Sequence, residues 1–425
     1  MPDQAFEFSA APVRFGRGVT SEIGMELADR GLKRVLLVTD QRIARLPPVA
    51  AVVDALGACG VRAEVFDEVS VEPTDRSFRD AIAFAAPLAI DAIVAVGGGS
   101  TIDTAKAINL YTSCPPADFY DYVNVPVGKG LPVPRELRPL FAVPTTAGTG
   151  SETTGVCVFD DTTRHVKTGI SHRRLKPVLA FLDPANTRTM PPAVAASSGL
   201  DILSHAVESY TAQSFTARPV ASRPAQRPSY QGANPISDVW SLQALRMVAA
   251  YLLRAVADPD DEEARAAMLL AAAYAGIGFG TAGVHLPHAM SYPVSGHVPA
   301  FRADGYGAGG PLLPHGLSVI VNAPAAFRFT APADPERHLL AAAALGADTS
   351  RCTAHDAGAV LADRIVWFMQ RLNVPNGLAA VGYSSADIPM LVAGTRLQER
   401  LTTLSPRPAT AEDLARIFED ALAAW

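Results

Sequence analysis

The chain has 425 residues, 49% hydrophobic and 18% charged, with a formal net charge of −6. That length and apolar content allow more than one core, so two or three soluble domains of about 150 residues each are expected. The mild acidity and the lack of a basic tract give nucleic-acid binding no support. Four scattered cysteines, Cys59, Cys114, Cys157 and Cys352, form neither a Cys-x-x-Cys pair nor a disulfide framework.

The first eight residues lack the basic start and apolar block of a signal peptide, and their acids argue against a transit peptide, so the expected address is cytoplasmic. From residue 32 to about 183, short β-branched runs alternate with helical patterns. Residues 35–39, 61–66, 92–96, 140–144 and 179–183 read as strands. Strands separated in this way need crossover connections, which predicts a mainly parallel sheet covered on both faces, with a nucleotide at the carboxyl ends of its strands. Asp40 follows the first run. It reads either as a helix cap or as a partner for an adenosine ribose, where its charge would repel the extra phosphate of NADP.

The third run breaks into Gly97, Gly98, Gly99 and Ser100 and then into a helical pattern. Such a turn gathers bare amides and the positive end of a helix dipole, which suits the pyrophosphate of a dinucleotide, although any tight strand-to-helix turn needs glycine. After residues 140–144, Thr145, Thr146 and Thr149 alternate with Gly148 and Gly150, supplying more hydroxyls than a plain turn requires.

Near residue 190 the β-branched runs stop, and Ala/Leu-rich helical patterns continue to Trp425. The expected division is an α/β dinucleotide-binding domain over 1–190 and an all-helical metal-binding domain over 191–425, with the active site in the cleft between them. Asp201 and His205, spaced i and i+4, project from one helix face. With His288 and His315 they make a one-Asp, three-His set for a divalent ion. The plainer readings are an exposed helix pair for the first two and polar core histidines for the others. A carboxylate with imidazoles and no thiolate suits Fe(II) or Zn(II). As a Lewis acid the ion would lower the pKa of a substrate hydroxyl.

Residues 210–237 are too rich in Pro and Ser for regular helix. Arg218, Arg223 and Arg227 in that stretch read as solvated charges, or one of them as the bidentate partner of a substrate carboxylate. Residues 266–284 carry no charge and are long enough to cross a membrane. Their weak apolarity and their run into His285 predict a buried helix beside the metal and no membrane span.

Taken in order, the motifs carry a resemblance along nearly the whole chain. They are Phe15-Gly16-x-Gly18, Asp40, Gly97 to Ser100, Pro144 to Glu152, Asp201 to Glu208, His288 and Pro314-His315-Gly316. The sequence resembles the iron-containing, or group III, alcohol dehydrogenases of dehydroquinate-synthase-like fold. Residues 227–240, 283–293 and 314–338 are most similar to the hydroxyacid-oxoacid transhydrogenase branch.

The resemblance implies Asp201, His205, His288 and His315 as metal ligands, in preference to His285 and His297. It also implies NAD, bound by Asp40, Gly97, Gly98, Gly99, Ser100, Thr145, Thr146 and Thr149, with Lys167 at its ribose. The implied reaction is oxidation of 4-hydroxybutyrate to succinate semialdehyde coupled to reduction of 2-oxoglutarate to D-2-hydroxyglutarate, in a homo-oligomer. Many relatives carry a second histidine four residues after the third ligand, where this chain has Tyr292. A phenol of pKa about 10 is a poorer base near neutrality than imidazole. Tyr292 and His285 are the candidates for proton transfer and its support. A conventional NAD-linked 4-hydroxybutyrate or alcohol dehydrogenase and a lyase of the dehydroquinate-synthase type remain alternatives.

Overall fold

A computed structural model describes residues 2–425 apart from His165 and residues 307–309. The apolar runs of the first half form parallel strands: β1 (Val13–Phe15), β2 (Arg34–Val38), β3 (Arg62–Phe66), β4 (Ala92–Gly97), β5 (Leu140–Pro144) and, after a hairpin, β8 (Leu179–Leu182). They make one six-stranded sheet in the order β1-β8-β5-β4-β2-β3. In β4, β5 and β8 every residue is buried, as a sheet covered on both faces requires. On one face Val35, Leu37, Val94, Val96 and Phe181 pack with Ile23 and Leu27 of α1 (Ile23–Asp29) and Val52 and Leu56 of α2 (Pro47–Ala58). A second core gathers Phe78 of α3 (Asp75–Ala85) and Leu110 and Tyr111 of α4 (Gly99–Ser113) against Phe159.

The chain runs from β2 outward to β3, then crosses back past β2 to β4. The order therefore reverses between β2 and β4, which opens a crevice beyond their carboxyl ends. Asp40 and Gly97 to Gly99 stand at those ends.

Two features were not legible as strands. Three-residue β1 is too short for a periodic signal. The hairpin of β6 (Val156–Asp161) and β7 (Val166–Ser171) carries Asp160, Asp161, Lys167 and Gly169 in place of an alternating pattern. Gly169 is required there, since a Cβ would stand 2.5 Å from the Cys157 carbonyl oxygen.

The chain divides into two compact units, one of Met1–Ser9, Pro191–Asp258 and Tyr274–Trp425, the other of Ala10–Met190 and Pro259–Ala273. This differs from a single cut at 190 in two places. The N-terminal segment joins the helical unit because Asp3 pairs with Arg218 (2.9 Å) and Arg227 (3.1 Å). Pro259–Ala273 joins the α/β unit, where Arg265 donates to the Thr187 carbonyl (3.1 Å).

The helical unit is built on α5 (Pro192–Thr211), α6 (Pro235–Ala257), the second half of α7 (Glu262–Ala282), α8 (Leu286–Gly296) and α9 (His315–Ile320), with further helices to the C-terminus. Helix α5 is buried without interruption from Gly199 to Thr211. Helix α7 is long and apolar enough to cross a membrane, and 72% of its apolar window is buried inside the folded chain.

In the α/β unit a buried lysine braces the loop after β5. Lys106 of α4 is fully buried and donates to the Ser151 carbonyl, the Ser151 hydroxyl and the Val156 carbonyl, each at 2.7 Å. Asp103 accepts from the Ser151 hydroxyl (2.5 Å) and the Val158 amide (2.9 Å). Lys106→Met would leave the Asp103 carboxylate buried without its cation. Breaking such a pair costs about 3–5 kcal/mol, and thermal unfolding of the variant should show a clear drop in midpoint.

Candidate active site

Helix periodicity places Asp201 and His205 on one face of α5, and two glycines bring the other histidines to them. Gly316 lets α9 press against α5: a Cβ there would stand 2.1 Å from the Ser197 carbonyl oxygen and 3.0 Å from Asp201 Cβ. The contact delivers His315 at the first position of α9. Gly283, at φ +89°, turns the chain from α7 into α8, which carries His288.

One ligand atom from each of Asp201, His205, His288 and His315 lies within 4.8 Å of every other. Three nitrogens surround Asp201 Oδ1: His205 Nδ1 at 3.7 Å, His288 Nε2 at 3.6 Å and His315 Nε2 at 3.8 Å. These separations are too long for hydrogen bonds. They suit the edges of a tetrahedron around an ion bonded at about 2.1 Å, roughly 3.4 Å, after a small contraction. Asp201 Oδ1, His205 Nδ1 and His288 Nε2 are buried and have no hydrogen-bond partner. Buried polar atoms are rarely left so, and a shared cation would satisfy all three together.

The supporting shell fixes which nitrogen each ring presents. Glu208, fully buried, takes His288 Nδ1 at 2.5 Å, leaving Nε2 toward Asp201. Its other oxygen accepts from the amides of His285 (2.6 Å) and His288 (3.4 Å). Phe279 stacks flat on the His205 ring, with centroids 4.0 Å apart. Sequence reasoning assigned no role to Glu208 or Phe279. For Glu208 the signal was present, since positions 201, 205 and 208 share one helix face.

Charge follows this geometry. Burial would raise the Asp201 carboxyl, but His205, His315 and His288 outweigh it and hold it well below the usual range. Burial pushes His205 down to about 3. His288 resists burial because Glu208 and Asp201 flank it, and it is pushed up to about 9.

His285 and Tyr292 stand apart from the four ligand atoms. The Thr211 hydroxyl donates to the Val207 carbonyl (2.8 Å), so it accepts from His285 Nε2 at 3.0 Å. The His285 ring is thus engaged by Thr211, and only its backbone amide reaches Glu208. Tyr292, buried one turn beyond His288 on α8, accepts through its hydroxyl from Arg400 Nη2 at 3.1 Å. Arg218 and Arg227 are each paired with the Asp3 carboxylate.

In the α/β unit, the glycines and threonines named from the sequence form one cradle. A Cβ at Gly98 would meet Thr146 Oγ1 at 3.2 Å, and one at Gly99 would meet Thr149 Cγ2 at 2.5 Å, so only bare backbone fits between the two loops. Gly98 caps α4; its carbonyl takes the amides of Thr101 and Ile102 (3.1 Å each), so the free donors of the first turn are the amides of Gly99 and Ser100. Thr145 donates its amide to the Gly97 carbonyl (3.0 Å), and its Oγ1 is buried without a partner. A dinucleotide phosphate and its flanking hydroxyls would meet these donors, so the residues fit that group.

Asp40 Oδ1 accepts from the amides of Arg42 (2.9 Å) and Ile43 (3.0 Å), the capping geometry of its plainer reading. Lys167 is buried in β7 against Glu72 (2.5 Å) and Asp160 (3.3 Å). The Glu72 amide donates to Ser100 Oγ (3.2 Å), which ties Lys167 to the glycine turn.

Two outcomes follow for an ion bound by the four ligands. Glu208→Gln weakens the hold on His288 and should reduce metal affinity about 10- to 100-fold in chelator competition. Below pH 9 the His288 proton and the ion compete for Nε2, so uptake should release a proton and affinity should fall about tenfold per pH unit. A pH-independent affinity between 6 and 9 would contradict this.

Residues 10–184 match the family model described as iron-containing alcohol dehydrogenase, and residues 229–422 match that of the Fe-containing alcohol dehydrogenase family, C-terminal. Over 418 residues the chain is 56% identical to the mitochondrial hydroxyacid-oxoacid transhydrogenase of Bos taurus, covering 98% of this chain and 90% of that protein. Among solved structures, 1,3-propanediol oxidoreductase superposes with a TM-score of 0.85 at 28% identity, covering 98% of this chain and 100% of that one. Sulfoacetaldehyde reductase from Bifidobacterium kashiwanohense, in complex with NAD+, gives 0.80 at 25% identity, covering 99% of each.

The cytoplasmic address expected from the first residues is overturned here, because the Bos taurus relative is a mitochondrial protein. An address is written in segments that the fold does not need, so the composition of eight residues does not fix it. The two family models and the full-length identity place this oxidoreductase in the iron-containing alcohol dehydrogenase family, to which the chain belongs, and within it in the hydroxyacid-oxoacid transhydrogenase branch.

Proposed function

We propose that the protein transfers hydride from 4-hydroxybutyrate to 2-oxoglutarate through a bound NAD, yielding succinate semialdehyde and D-2-hydroxyglutarate. The observation that carries the reading is the set of buried, unsatisfied ligand atoms on Asp201, His205 and His288 with His315 beside them, in a chain of the transhydrogenase branch. A divalent ion bound there supplies Lewis acidity toward the substrate oxygen, and a nicotinamide supplies the two-electron carrier. The donor set suits Fe(II) and Zn(II) alike.

The chain's own residues do the rest. Glu208 holds the His288 tautomer, Phe279 holds the His205 ring, and both keep water from the ligand cluster. Gly97, Gly98 and Gly99 leave room for a pyrophosphate, and the Asp40 charge favours NAD over NADP. Tyr292 engages Arg400, so its hydroxyl orients that cation as well as being a candidate for moving the substrate proton.

Incubating metal-replete enzyme with both substrates and no added nucleotide should form equal amounts of succinate semialdehyde and 2-hydroxyglutarate over many turnovers, followed by mass spectrometry. Product formation only with added NAD, accompanied by accumulating NADH, would mark a conventional dehydrogenase instead.

A further inference from the structure

The proposed substrates share a dimension beyond their reacting oxygen. In 4-hydroxybutyrate two methylenes separate the carbinol carbon from the carboxylate; in 2-oxoglutarate two methylenes separate the ketone carbon from the distal carboxylate. One cation at a fixed reach therefore serves both half-reactions. It should be shielded, because exposed charge pairs contribute little.

Arg400 meets that description. It lies on the short helix Glu399–Thr402, which packs against α8. Its Nη2 donates to the Tyr292 hydroxyl at 3.1 Å, and Tyr292 follows His288 by one helical turn on the same face. The guanidinium lies over the Tyr230 ring, 5.4 Å from its centroid. Tyr230 is seated by Gly283, where a Cβ would come within 2.9 Å of the ring.

The side chain as a whole is half-buried, but Nη1 is closed to solvent and has no hydrogen-bond partner. Among the described residues no carboxylate pairs with Arg400, whereas Arg337 and Arg218 elsewhere in the unit each have one. A buried guanidinium N–H without an acceptor is unfavourable, and an anionic acceptor is what it matches best.

We propose that Arg400, oriented by Tyr292 and Tyr230, is the seat of the carboxylate that lies two methylenes from the reacting carbon in both the hydroxyacid and the oxoacid. This rests on the transhydrogenase reading and deepens it by assigning the charged end of each substrate. Toward the carboxylate, Tyr292 and Tyr230 are positioning residues, because they act on it through the guanidinium.

The test is a calorimetric titration of metal- and NAD-loaded enzyme with butyrate, which keeps the carboxylate but lacks the reacting hydroxyl, beside 1-butanol as its neutral counterpart. Wild type should prefer butyrate. Arg400→Met should weaken butyrate about 10- to 100-fold and raise the KM for 4-hydroxybutyrate and 2-oxoglutarate together, with Arg400→Lys recovering part of the loss. Butyrate affinity and both KM values within twofold of wild type, in a variant with an unchanged unfolding midpoint, would overturn the assignment, as would a rise for one substrate alone. If Arg400→Met does not fold, Arg400→Lys decides: both KM values should rise about tenfold, and unchanged values overturn the seat. Arg400-dependent butyrate binding without hydride exchange between the two substrates would uphold the seat and sink the transhydrogenase reading.

Discussion

The helical unit is organised around a single oxygen, Asp201 Oδ1, ringed by three imidazole nitrogens at distances that no hydrogen bond explains. Placing a carboxylate there sets demands on everything nearby. Helix α5 must be buried, α9 must approach close enough that residue 316 is glycine, and the rings must present fixed nitrogens. Glu208 meets the last demand for His288 while also accepting the first amides of α8. A carboxylate buried this deeply is tolerable because the His288 ring beside it holds a proton, and an ion completes the set better than protons do.

The α/β unit presents a different geometry, one that suits close approach of backbone to a polyanion. Side chains are removed at residues 97–99, and the facing loop of threonines packs so tightly that a Cβ would clash. The brace of Lys106, Asp103 and Ser151 beneath that loop holds it rigid. A cradle of main-chain amides would select phosphate only if its walls did not move, and the buried charge beneath the loop suits that demand.

Legibility in the sequence followed range. Strands 2, 4, 5 and 8 were readable because each is a continuous apolar run. The pair of Asp201 and His205 was readable because helix periodicity is local. His288 and His315 were selected over His285 and His297 only through resemblance, since spacing alone does not distinguish a ligand from a core histidine. Glu208 obeyed the same periodicity as Asp201, yet a second acid on that face is indistinguishable by spacing from a solvated one. Arg400 gave no signal at all: it meets Tyr292 across 108 residues, from a helix of four residues. The arginines that did attract attention, in the proline-rich stretch, serve to fasten the N-terminal segment through Asp3. Long-range pairing decided between them, and composition does not encode it.

The most direct test of the account is X-ray absorption spectroscopy on protein titrated with Fe(II) or Zn(II), comparing wild type with Asp201→Asn. The account predicts one ion per chain in a shell of nitrogen and oxygen donors with imidazole scattering and no sulfur, and at least a tenfold weaker hold in the variant. A sulfur neighbour, no stoichiometric binding, or an unchanged shell and affinity in Asp201→Asn would contradict it.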